Sequence, residues 1–211
     1  IYMGDWSSDV CSSDLAPPAV SAPPAKLDAV RRFARTCRSN ERHGEQVARL
    51  AGEIFDGLRR RHKLPAGARE LLSAAALLHD IGFLVNHSKH HKHAYHLIMH
   101  SDLPGYSARE IEVIANVARY HRRAAPKKSH GNFRRLDKSD RRLTRRLAGI
   151  LRVAVALNRS HQQLVQEIHC YAKTGRVTLT VRAAAEPAVE MWDARRKAAL
   201  FENYMEIGRA S

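Results

Sequence analysis

The sequence predicts a mainly α protein: a helical bundle followed by a small C-terminal β-hairpin and one closing helix. Three observations carry this. Apolar residues recur at three- and four-residue spacing from Lys26 to about His161. Polar breaks containing Ser, Asn, Asp, Pro or Gly punctuate that stretch. The period then shortens to two, so that Val165–Ala172 and Val177–Val181 alternate as strands.

Taken in order, the first helix starts at Lys26 and places Leu27, Val30, Phe33, Ala34 and Cys37 on one face. After Ser39-Asn40, a second carries Val47, Leu50, Ala51, Ile54, Phe55 and Leu58, capped by Asn40 or Ser39. His43 falls in its first turn, one turn before Val47 and so on the inward side. A third helix runs from about Ala66 to Asp80, with Gly82 placed to end it in a left-handed conformation. A fourth covers roughly His90 to Ser101, and Asp102-Leu103-Pro104-Gly105 makes the turn. Ser107 and Glu110 form a capping box that opens a fifth helix through Ile111, Ile114, Ala115 and Ala118 to about His121. Arg122 to Asp140 reads as a loop. The sixth helix starts at Ser139 or Asp140 and bears Leu143, Leu147, Ile150, Leu151, Ala154 and Leu157. Lys173-Thr174-Gly175-Arg176 is the hairpin turn. The last helix, about Glu190 to Ile207, buries some of Trp192, Leu200, Phe201 and Tyr204.

A chain of 211 residues holds one domain of ordinary size plus an appendage. The expected organisation is 1–25 outside the fold, 26–161 as the helical domain, and 162–208 as hairpin and closing helix packed on or beside it. Residues 1–15 have no periodicity and no lysine or arginine, which excludes a secretory signal. They resemble the translation of a sequencing-library adapter and are read as an assembly scar. Residues 16–25 (APPAVSAPPA) read as a Pro/Ala linker, disordered. No apolar run approaches the roughly 18 residues of a membrane span. Cys11, Cys37 and Cys170 make neither a disulfide framework nor a zinc pattern, so a reducing, cytoplasmic setting is expected. The net charge of +15 and a pI near 10.4 call for a polyanionic partner.

Chemistry concentrates between Leu77 and His121, which hold eight of the thirteen histidines. His79-Asp80 follows an apolar helical run and has His43 one helix upstream. Neutral imidazoles and a carboxylate so gathered suit a divalent cation or a phosphate. His87, His90, His96 and His100, taken singly, read as surface residues. Twelve lysines and arginines lie between Arg119 and Arg146 against two acids, supplying +10 of the +15. The tract begins beside the proposed site and contains a single aromatic, Phe133, without the stacking pattern of single-strand nucleic-acid binders. Guanidinium forks pair with phosphate oxygens in a bidentate way, so the tract suits a chain of phosphates.

These residues resemble the HD superfamily of metal-dependent phosphohydrolases and, more narrowly, the C-terminal HD-type domain of the exopolyphosphatase/guanosine pentaphosphate phosphohydrolase (Ppx/GppA) family. The resemblance is carried by LLHDIGFLVNHSKHHKHAYHLI, SDLPGYS, ARYHRRA and the stretch Ile150 to His161, and it runs from about Leu27 to Gly208. It implies an HD-domain-like helical bundle with His43, His79 and Asp80 as metal ligands, and His93 and His121 as the additional histidines of two-metal members. The implied ion is Mg, Mn or Zn. The last ligand of such sites is an Asp. Here the aligned position is Val155, and the next inward polar residue is Asn158, so a degenerate site keeping His79-Asp80 as a buried hydrogen-bonded pair is the preferred expectation. The resemblance also implies cleavage in a separate actin-like domain with glycine-rich phosphate loops, and this sequence offers no such stretch. The expected function is therefore a polyphosphate-binding domain of an exopolyphosphatase-like hydrolase, with Arg119, Arg122, Arg123, Lys127, Lys128, Arg134 and Arg135 holding the polyanion and an upstream catalytic domain as partner. A stand-alone HD-type nucleotide phosphohydrolase and a non-specific nucleic-acid-binding module are the alternatives. The closing helix, with Trp192 and Phe201, offers a face for a homodimer.

Overall fold

The computed structural model describes residues 26–65, 67–173 and 176–205. The helices are α1 (Lys26–Thr36), α2 (Glu41–Gly57), α3 (Arg59–His62), α4 (Ala68–Leu78), α5 (His90–Met99), α6 (Ala108–Arg119), α7 (Gly131–Arg135), α8 (Lys138–Ala156) and α9 (Ala188–Met205). A 3-10 turn, Ile81–Leu84, separates α4 from α5. Strands β1 (Val165–Lys173) and β2 (Arg176–Ala183) form an antiparallel hairpin, and the fold is mainly α, as the periodicity predicts.

Helices α2, α4, α6 and α8 pack on one another as the centre of the bundle, with α1 on α4, α5 on α6 and α9 along α8. Their apolar stripes close one core in which Val47, Leu50, Ile54, Leu72, Leu78, Ile114, Leu147 and Ile150 are fully buried. The hairpin docks on α2 through backbone-directed polar contacts. Gln46 Nε2 donates to the Val165 carbonyl at 2.6 Å, Arg49 Nη1 to the Gln166 carbonyl at 2.6 Å, and Glu53 Oε2 accepts from the Ile168 amide at 2.9 Å. These satisfy edge groups that would otherwise face the helix unpaired.

The helix starts follow the caps. Asn40 accepts from the His43 amide at 3.0 Å, and Ser107 and Glu110 form the reciprocal box. Asp137 accepts from the Asp140 amide at 2.7 Å, so α8 begins at Lys138, earlier than expected. Two short helices go beyond the sequence reading, α3 and, inside the stretch read as a loop, α7, because four or five residues are too few to show a period.

Gly82 does not adopt a left-handed conformation. It lies inside the 3-10 turn, and Gly105 is the described glycine with positive φ, at 89°. Gly82 is needed instead for close approach: a Cβ there would collide with the His90 carbonyl and meet the Ala94 amide nitrogen at 2.6 Å. At the closing helix, Phe201 is buried against Gly149 while Trp192 is exposed, so of that pair only Trp192 is presented outward. The expectations at residues 1–25, Ala66, Thr174, Gly175 and Ile207 lie outside the described residues.

Candidate functional site

Four helix ends meet at one place. His43 stands in the first turn of α2, His79 caps the C-terminus of α4 with Asp80 next to it, His90 opens α5, and His121 follows α6 by two residues. All four imidazoles are buried. Their Nε2 atoms surround one carboxylate. Asp80 Oδ2 lies 3.3 Å from His79 and 3.6 Å from His43, and Oδ1 lies 3.4 Å from His90 and 3.8 Å from His121.

Second contacts fix which nitrogen of each ring carries its hydrogen. His79 Nδ1 donates to the Ala76 carbonyl at 2.7 Å, His121 Nδ1 to the Ala118 carbonyl at 2.7 Å, and His90 Nδ1 to the His87 carbonyl at 3.2 Å. The Nε2 lone pairs of these three rings therefore face Asp80. His79 Nε2 is buried, and although close to Asp80 it makes no aligned hydrogen bond. Burial works against charge on His79, but the Asp80 carboxylate outweighs it and raises the imidazole above its usual value. Burial likewise opposes ionisation of Asp80, yet the surrounding imidazoles, His79 foremost, hold it well below the usual carboxylate range. Burial pushes His43 down to about 3, holds His121 well below its usual value, and lowers His90 as well.

A divalent cation is what the resemblance implies, and the donor set fits one. Two groups, His43–His79–Asp80 and Asp80–His90–His121, each place their ligand atoms within 4.8 Å of one another. The separations of 3.3 to 3.8 Å compare with about 3.4 Å between neighbouring ligands of tetrahedral zinc. Such an ion would polarise a phosphoryl oxygen or lower the pKa of water. Of the residues named from sequence, His43, His79, Asp80 and His121 come together. His93 belongs to neither group, and His90 stands in its place. His90, Ala94 and Ile98 lie on the buried side of α5 at intervals of four, but His91 and Tyr95 are buried at the same interval, so spacing alone narrows the inward histidine to His90 or His91. His90 is thus no surface residue.

Val155 lines the same cleft, and the buried Asn158 stands behind His43, its Nδ2 2.9 Å from His43 Nδ1. His161 stacks on His43 with centroids 3.8 Å apart, in a left-handed backbone conformation (φ 60°). The cleft, of about 450 Å³, is walled by Arg122, Arg123, Arg159, Arg196 and Lys197, with Asp193 bonded to Lys197 at 2.7 Å. Asp193 comes from α9 and is no substitute at the Val155 position, because Lys197 holds it. A second cleft of about 500 Å³ adjoins the first and shares Arg122 and Arg123. Lys89, Lys92, Arg119 and His91 line it, and among the described residues no carboxylate does.

The basic tract divides into two uses. Arg119, Arg122 and Arg123 line the clefts, whereas Lys127, Lys128, Arg134 and Arg135 are exposed and line neither. Arg152 is buried and donates to the carbonyls of Tyr120, Arg123 and Ala124 at 2.8, 2.6 and 3.0 Å, holding the loop that presents Arg122. Arg141 donates to the Arg134 carbonyl, Arg146 to that of His62, and Arg145 lies over the Phe133 ring. Sequence reasoning missed Arg159, Arg196 and Lys197, which lie outside the dense tract and reach the cleft through the packing of α9 on α8.

With this geometry in place, comparison with known proteins is specific. Residues 26–192 match the family model described as Ppx/GppA phosphatase, domain III. Among curated proteins, the guanosine-5'-triphosphate,3'-diphosphate pyrophosphatase of Pseudoalteromonas translucida (strain TAC 125) is 37% identical over 87 residues, covering 41% of this chain and 17% of that protein. Its counterpart from Vibrio campbellii (strain ATCC BAA-1116) is 36% identical over 98 residues, covering 42% of this chain and 20% of that protein. The match thus spans a fifth or less of these relatives.

Proposed function

The chain belongs to the Ppx/GppA phosphatase family, through domain III, and on that premise we propose that it grips condensed phosphate for a phosphoanhydride hydrolase whose actin-like catalytic domain is separate from it. The observation that carries this reading is the position of Arg122 and Arg123. They line both clefts and so join Lys89, Lys92 and Arg119 on one side to Arg159, Arg196 and Lys197 on the other. Guanidinium forks and ammonium point charges in such a row match a run of phosphates and read no base. The acids in the row are Asp80, enclosed by imidazoles, and Asp193, paired with Lys197.

The test is calorimetric titration with long-chain polyphosphate at several salt concentrations, with duplex DNA as competitor. Arg122→Ala with Arg123→Ala is expected to weaken binding by about tenfold or more and to flatten its salt dependence, since fewer counterions are released. An unchanged slope, or displacement by DNA at equal phosphate concentration, defeats the reading. A stand-alone HD-type nucleotide phosphohydrolase is a second reading, favoured by the converging histidines. Phosphate release that requires Mn²⁺ or Zn²⁺ and stops with chelator would select it.

A further inference from the structure

We infer that the histidine cluster is asymmetric and takes one divalent cation, on the His90–His121 side of Asp80, because Asn158 holds His43 as a hydrogen-bond donor where a ligand would be needed. The orientation of the Asn158 amide is set by the backbone. The Gln163 N–H can only donate, and it reaches Asn158 Oδ1 at 3.2 Å, which leaves Nδ2 to donate to His43 Nδ1 at 2.9 Å. A neutral imidazole that accepts at Nδ1 carries its hydrogen on Nε2. That atom of His43 faces Asp80 Oδ2 at 3.6 Å, and a protonated nitrogen cannot ligate. A carboxylate in place of Asn158 would set the other tautomer, which is the usual support of a ligating histidine. Val155 supplies no ligand on this side either.

The other side has the opposite arrangement. His90 and His121 each donate from Nδ1 to a backbone carbonyl, so both Nε2 atoms present lone pairs. These two atoms lie 3.4 Å apart, and Asp80 Oδ1 lies 3.4 and 3.8 Å from them. None of these three acceptors donates to another, and the nearest donor is the Arg122 guanidinium at His90, so a cation between them would relieve the arrangement. Arg122 Nη1 lies 3.2 Å from both nitrogens of His90, so the guanidinium would swing aside for Nε2 to take an ion. The same guanidinium lines the phosphate trough, so the ion would sit beside the anion path.

The test uses the whole chain, stripped with chelator and offered Zn²⁺ or Mn²⁺ alone without any phosphate. Elemental analysis after gel filtration gives stoichiometry, and calorimetry gives affinity. One ion per chain is expected, lost in His90→Ala and His121→Ala and kept in His43→Gln. Asn158→Asp, which frees His43 Nε2, is expected to admit a second ion. No ion, two ions in the unmodified chain, or loss in His43→Gln with retention in His90→Ala would overturn the inference. Nitrogen NMR of the metal-free chain reads the tautomer directly, and a hydrogen on His43 Nδ1 would overturn it independently of how Asn158→Asp folds. Polyphosphate titration of the stripped chain separates this outcome from that of the binding reading.

Discussion

Arg152 lies beyond the basic tract, in the apolar run of α8, and its guanidinium is turned inward to three backbone carbonyls of the loop between α6 and α7. The Tyr120 contact is buried and the other two are partly buried, so removing the guanidinium leaves the Tyr120 carbonyl without this donor. Arg152→Met is expected to cost about 2–3 kcal/mol in urea unfolding and to weaken polyphosphate binding as the Arg122 loop loosens. A variant of native stability would show that the clamp is dispensable. Residue type and spacing identify Arg122 and Arg152 equally well. They do not reveal that Arg122 lines the cleft while Arg152 ties down its rim, because that depends on which way each side chain leaves its element.

Between α4 and α5 the chain must turn through residues 79–89 and still deliver both Asp80 and His90 to one point. Gly82 makes this approach feasible, since the backbone of His90 and Ala94 lies where a side chain would begin. Gly82→Ala is therefore expected to destabilise the fold by about 1–3 kcal/mol, and to lower divalent-cation affinity as His90 is pushed from Asp80. An alanine variant with native melting temperature and metal affinity would contradict this packing argument. The elements themselves were legible where local rules set them. The Ser107–Glu110 box and the stripe of α2 are examples, since capping and the 3.6-residue period act within a single turn. The reading of Gly82 as a left-handed stop failed because a glycine marks equally a reversal of backbone hand or a close contact, and only the neighbouring helix decides between them.

Across the molecule, the buried imidazoles make stability depend on pH. His43 and His91 are pushed down to about 3 and about 4, chiefly by burial, and His90 and His121 are lowered too. An unfolded chain takes up these protons near pH 6.5 while the folded chain does not, so stability falls as pH drops below 6.5. His79 acts in the other sense: its folded value is raised, so its contribution is present below 6.5 and lost at higher pH. The lowered group outnumbers it, and His43 alone accounts for about 2 kcal/mol at pH 5. The urea midpoint of the metal-free chain is expected to be lower at pH 5 than at pH 7.5, and an equal or higher midpoint would refute the balance drawn here. The cleft walled by Arg122, Arg123, Arg159, Arg196 and Lys197 opens beside the same cluster.

The sequence by itself determined the helical class, the pairing of a His-Asp dipeptide with an upstream helix-borne histidine, and the placement of basic residues next to it. Each of these is written in periods and spacings shorter than one element. The tertiary structure decided which histidine of a crowded run turns inward, which arginines face the clefts, and that Asn158 governs His43. Those contacts join residues 31 and 115 positions apart, and their geometry is set by how helices pack rather than by the identity of any neighbour in the chain.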